Sequence, residues 1–147
     1  GSGVIRSSIY NRVHGSTSVI PVMPEVAVKG DRTQVATEFK QTRAVFGLTG
    51  DLNLESIIVT GTKIGSVNHS MLTYEHARQK NLKFKGFIIN QNVADGYDLS
   101  NMKHQIFGLT GNKVFGAIPY VEPFSIEPYI ATFPNFVDVS KLGLENI

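Results

Sequence analysis

A chain of 147 residues that is 41% hydrophobic and 10% aromatic carries enough apolar side chain for one domain with a real core, and that fraction excludes wholesale disorder. The 14 basic residues against 12 acidic ones leave a formal charge of +2, too mild to argue for nucleic acid, and neither a face-sized basic cluster nor basic-aromatic interleaving is present. The absence of cysteine excludes disulfides, thiolate metal sites and cysteine nucleophiles and fits a cytoplasmic protein, while no stretch has the length of a membrane span or the pattern of a signal peptide.

Gly1-Ser2-Gly3 reads as an expression scar, so a single domain is expected over residues 4–147. From Val4 to Gly30 the chain is rich in Val, Ile, Tyr, Ser and Thr. Its short runs Ser8-Ile-Tyr-Asn-Arg-Val13 and Ser18-Val-Ile-Pro-Val22 predict strands and loops, a β-rich element in which Pro21 and Pro24 argue against a long central strand. Asp31 is placed to cap a helix over 31–46 with Val35, Ala36 and Phe39 at helical spacing, which Gly47 stops. A strand over Ser56–Thr60 comes next.

The stretch from Gly61 to Leu72 (GTKIGSVNHSML) opens a helix predicted to run to Gln79, with Val67, Met71, Leu72 and Tyr74 as its apolar stripe. Lys80, Lys83 and Lys85 mark a solvated helix end and strand start, and Phe84–Asn90 reads as a buried strand. Asp98 caps a helix carrying Leu99, Met102 and Ile106 that Gly108 ends, and Lys113–Ile118 is the next strand. The phrase Phe-Gly-Leu-Thr-Gly occurs at 46–50 and again at 107–111, either as two helix C-terminal glycine turns or as the trace of a duplication. Strands alternating with helices of this length imply right-handed crossovers and a mainly parallel sheet with helices on both faces.

A turn between a strand and a helix is where an α/β protein holds an anion. This one is not a Walker A loop: counting from Gly61 puts Ser66 and Val67 at the Gly-Lys positions, counting from Gly65 puts Ser70 and Met71 there, and Lys63 is on the wrong side of the turn. Small residues and free N–H groups at a helix start favour a carboxylate. The other reading is that Asn68 caps its own helix. Asn90 ends a buried strand in the crevice position and is followed by Gln91; a turn asparagine is again the plain alternative. His69, His76 and His104 form no spaced ligand pair, His69 is expected to pack or bond locally, and no metal site is expected. No G-x-S-x-G elbow is present, and no catalytic residue is assigned.

The run from Ile57 to Thr73, with Lys85-Gly-Phe-Ile-Ile-Asn90 and then Phe115-Gly-Ala-Ile-Pro-Tyr120, resembles the dethiobiotin synthetase family in order, spacing and residue type. The resemblance implies a P-loop fold and a homodimer that closes the ureido ring of dethiobiotin from 7,8-diaminononanoate, carbon dioxide and ATP with Mg²⁺. It places the tail carboxylate of diaminononanoate, from the partner subunit, at Gly65, Ser66, Val67 and Asn68. It places the adenine edge at Asn90 with Gln91 beside it, and Pro119, Tyr120 and Val121 in the loop over the base.

Upstream, Val13-His-Gly-Ser-Thr-Ser-Val-Ile-Pro21 resembles the family's V-E-G-A-G-G-x-x-x-P segment, and Thr33–Phe39 the helix after it, so the chain aligns with the C-terminal part of the enzyme. His14 stands where the family has its magnesium-binding glutamate, Ser16-Thr-Ser18 replaces a glycine-rich turn, and no G-x-x-x-x-G-K-T occurs in these 147 residues. The expected architecture is therefore P-loop-like but incomplete. Two functions follow: a ligase of this kind, or a portion of one, whose nucleotide site a second chain completes; or a non-enzymatic α/β binding or interaction module that keeps the scaffold. A sheet without its phosphate-loop strand exposes apolar edges, so a homodimer or partner chain is expected.

Overall fold

In a computed structural model the described residues are 2–22, 55–111 and 114–138. Their elements run α1 (Ser2–His14), β1 (Ser18–Val22), β2 (Glu55–Thr60), α2 (Ser66–Gln79), β3 (Lys83–Asn90), α3 (Leu99–Thr110), β4 (Val114–Ile118) and α4 (Ile126–Phe136). The helix expected over 31–46 and the first copy of the repeated phrase lie outside them.

The four strands form one sheet in the order β1-β2-β3-β4, with β2, β3 and β4 parallel and β1 antiparallel to β2. Ile57, Ile58 and Val59 of β2 and Phe87, Ile88 and Ile89 of β3 are all fully buried. Such unbroken apolar runs are what a parallel strand needs when helices cover both of its faces. Successive residues serve opposite faces. Ile57, Val59 and Ile88 pack with Val4 and Ile5 of α1 and Phe133 of α4, whereas Ile58, Phe87 and Ile89 pack with Ala77 of α2 and Met102 and Ile106 of α3. Each such side chain, fully buried, contributes about 1.5–3 kcal/mol. Pro21 is tolerated in β1 because, among the described residues, that strand pairs on one side only.

Residues 8–13, expected to be extended, instead form the second half of α1. Its buried residues are Val4, Ile5, Ser7, Ser8 and Asn11, a helical spacing in which three of the five are polar. Ser8 Oγ donates to the Val4 carbonyl at 2.9 Å, and Gly15, at φ 79°, ends the helix by donating its N–H to Asn11 O.

In α2, Val67, Met71 and Tyr74 pack inward as expected, but Leu72 is 62% exposed. Asp98 caps α3 as expected, its side chain accepting the Asn101 N–H. The helix does not end at Gly108. It continues to Thr110, and Gly111, in the left-handed region, is its C-terminal stop, so the second copy of the repeated phrase is a helix C-terminal glycine turn. The sequence marks no element over 126–136, where Pro128 and Pro134 interrupt the pattern, yet α4 forms and its Phe133 enters the core. Gly116 of β4 lets α4's end approach: a Cβ there would lie 2.4 Å from the Phe136 carbonyl.

Candidate functional site

The carboxyl ends of β2 and β3 hold the candidate residues, because a parallel sheet directs its strand ends and helix starts to one edge. At the first strand end, Thr60 leads through Gly61 to Gly65, the residue before α2. Gly65 has φ 99°, a left-handed conformation that glycine adopts without strain, and no side chain caps the helix. The Ser66 N–H is taken by the Lys63 carbonyl at 2.9 Å; those of Val67 and Asn68 have no acceptor among the described residues. Two backbone donors at the positive end of a 14-residue helix suit an anion. Asn68 is exposed and is the third residue inside α2, so it does not cap the helix. Ser66 is buried, and Ser70 Oγ lies 2.7 Å from both the Ser66 carbonyl and Thr60 Oγ1, tying the first turn of α2 to β2. His69 is exposed; Thr73 Oγ1 donates to its carbonyl.

At the second strand end, three consecutive residues each hold a different element. Asn90 is fully buried. Its Nδ2 donates to Ser8 O and to Asn11 Oδ1, both at 3.1 Å, and its Oδ1 accepts the Tyr129 hydroxyl at 3.0 Å. Gln91 Oε1 accepts the Tyr120 N–H at 3.1 Å. Asn92 Oδ1 accepts the Thr62 N–H at 2.9 Å. The amide edge expected to read adenine is therefore occupied by α1 and α4, and a base would reach it only by exchanging those bonds.

The loop after β4 is engaged as well. The Arg12 guanidinium lies 4.3 Å from the Tyr120 ring centre and 5.1 Å from that of Phe124, and it donates to Val121 O at 3.1 Å. Stacking a planar cation on aromatic faces is favourable, and it covers one face of the Tyr120 ring. Its Nε is buried without an acceptor among the described residues. Tyr120 donates to Glu122, and this hydrogen bond to a carboxylate raises the phenol's pKa. Tyr129 is also raised, chiefly by burial. Pro119 is half-buried beside Tyr120, and Val121 is exposed.

The geometry thus brings Gly65, Ser66, Val67 and Asn68 into one turn, and separately sets Asn90 and Gln91 at the end of β3 with Tyr120 bonded to Gln91. The sequence reading missed Ser8, Asn11, Arg12, Thr62, Asn92 and Tyr129. Of these only Asn92 carried a local signal, two residues after Asn90 at a strand end. At position 14, where the resemblance expects a Mg²⁺-binding glutamate, the imidazole of His14 offers nitrogen to an ion that takes oxygen ligands. His14 is exposed with its ring 4.4 Å from that of Tyr10, and no group of three or more His, Asp or Glu able to hold a metal forms among the described residues.

A mainly parallel sheet with helices on both faces and polar residues gathered at its carboxyl edge is an open α/β domain, consistent with the P-loop class. A family model described as an AAA domain matches residues 28–127, and the chain belongs to that family. It is 34% identical over 98 residues to the ATP-dependent dethiobiotin synthetase BioD of Nitrosopumilus maritimus, covering 67% of this chain and 43% of that protein. To the proteins of the same name from Brachyspira hyodysenteriae and Clostridium novyi it is 33% identical over 73 residues and 32% over 96, covering 31% and 38% of them. The chain spans less than half the length of these curated relatives. The resemblance read from the sequence is borne out. Among the described residues no helix is long and apolar enough to cross a membrane.

Proposed function

We propose that this chain is part of a dethiobiotin synthetase-type, ATP-dependent carboxylase acting on 7,8-diaminononanoate and carbon dioxide, and that its own contribution is the carboxylate-binding turn. The observation that carries this is the left-handed Gly65 turn, which leaves the Val67 and Asn68 N–H groups without acceptors beside an exposed Asn68 amide. The relatives, ATP-dependent dethiobiotin synthetases, supply the reaction class. ATP, when bound, supplies the activating phosphate. On this chain it would meet only base-side residues, Asn90, Gln91, Pro119, Tyr120 and Val121, and the phosphate grip and Mg²⁺ are assigned to no residue here. What this chain's residues do is orient: the turn fixes the substrate tail by two backbone donors and the Asn68 amide, which sets the distance to the diamine end. The family's homodimer would bring that tail from the partner subunit, and a cytoplasmic setting accords with the chemistry.

A second reading is a binding or interaction module that keeps the scaffold. The engagement of Asn90 by Ser8, Asn11 and Tyr129 favours it, because a committed amide reads no base. An NMR titration of labelled chain with diaminononanoate decides the first reading. Saturable shifts at the amides of Gly65 to Asn68 are expected; their absence in folded protein overturns the carboxylate turn and leaves the module.

A further inference from the structure

We infer that Asn92 is a positioning residue for the anion-binding turn, holding the Thr62 peptide from the neighbouring strand end. The inference rests on the carboxylate reading of that turn for its functional meaning, but its structural core stands on contacts of its own.

Thr62 is fully buried, and both sides of its backbone are gripped by the segment after β3. Its N–H donates to Asn92 Oδ1 at 2.9 Å, and its carbonyl accepts the Tyr97 N–H at 2.7 Å. The surroundings are shaped for this grip. A Cβ on Gly61 would stand 2.3 Å from Asn92 Oδ1, and one on Gly96 would stand 2.1 Å from the Thr62 carbonyl, so both approaches require glycine. A Cβ on Gly15 would come within 3.3 Å of Asn92 Nδ2, which itself lies 3.5 Å from the Asn11 carbonyl. Asn92 is buried, so its bond to Thr62 is not exchanged with water at little cost.

From Thr62 the chain needs only Lys63 and Ile64 to reach Gly65. Lys63 and Ile64 are exposed. Hydrogen bonds hold both ends of the turn: the Ser70 link to Thr60 and Ser66, with the Lys63 carbonyl accepting the Ser66 N–H, on one side, and the Asn92 and Tyr97 grip on Thr62 on the other. Thr62 Oγ1 is in addition a buried hydroxyl without a partner among the described residues, a polar group left open next to the turn. Preorganised donors bind an anion better than donors that must be ordered on binding.

The test compares the full chain with Asn92→Leu, Asn92→Asp and Gly61→Ala. Leucine removes the acceptor at similar volume, aspartate keeps it, and Gly61→Ala displaces it while leaving Asn92 in place. Without ligand, faster exchange of the Thr62 amide and shifted Gly65 to Asn68 resonances are expected in Asn92→Leu and Gly61→Ala but not in Asn92→Asp; unchanged Thr62 exchange overturns the inference. With diaminononanoate, the affinity of Asn92→Leu and Gly61→Ala should fall about tenfold, the equivalent of one buried hydrogen bond. Equal affinity in all four proteins would overturn the positioning role while sparing the carboxylate turn. If wild type binds nothing, the carboxylate reading falls, and the Thr62 exchange rates still decide the grip. If Asn92→Leu does not fold, Gly61→Ala and Asn92→Asp carry the comparison.

Discussion

Tyr129 and Asn90 share a hydrogen bond that joins α4 to the end of β3, and burial keeps the phenol neutral. Its pKa lies above the ordinary tyrosine value of about 10, so the unfolded chain loses that proton first as pH rises. Its share of stability is complete below about pH 10 and declines above it. Tyr129→Phe should lower unfolding free energy in urea by about 1 kcal/mol at neutral pH and flatten the alkaline decline. Asn68 behaves differently, being exposed and capping nothing. Asn68→Ala should leave stability within about 0.5 kcal/mol, yet weaken diaminononanoate about tenfold by NMR or calorimetry. The residue types of this turn were legible in the sequence because small residues between a strand and a helix have few other uses. That Asn68 lies inside the helix rather than at its cap was not, since it depends on the φ of Gly65.

At the scale of elements, β2, β3, α2 and α3 announce themselves by unbroken apolar runs or apolar spacing, the strongest signal a sequence carries. Helix α1 does not. Ser7, Ser8 and Asn11 are buried where that signal expects Leu or Ile, and a stretch rich in Ser, Ile, Tyr and Val then reads as a strand. The same polar face commits Asn90. If the crevice reads a base, α1 competes with it, and weakening α1 should favour the nucleotide. The pair Asn11→Ala and Arg12→Ala should raise hydrogen exchange across α1. In an ATP–Mg²⁺ titration the Asn90 side-chain amide should respond at a concentration about tenfold lower than in wild type, the worth of one or two buried hydrogen bonds. Unchanged titration curves would remove the competition.

For the whole molecule, the parallel sheet and its two covered faces were legible from the alternation of elements, and the antiparallel β1 was not, because pairing direction leaves no mark in a five-residue strand. Leu72 is 62% exposed one turn after Asn68 on α2, and Ile64, in the turn before the helix, is 70% exposed. A second copy covering these residues would bring its substrate tail to the turn, as the proposed homodimer requires. Size-exclusion light scattering should give a dimer that Leu72→Asp converts to monomer; a monomer at high concentration in wild type would end the proposal.

The bond between Asn11 and Asn90 spans 79 positions of chain, and Arg12 reaches Glu122 across 110. Contacts so remote must await closure of a long loop, whereas β3, α3 and β4 assemble from near neighbours. Helix α1 is then expected to dock after these three elements. Asn11→Ala should quicken unfolding by roughly the whole of its destabilisation and leave the refolding rate almost untouched, a division that chevron kinetics would display directly.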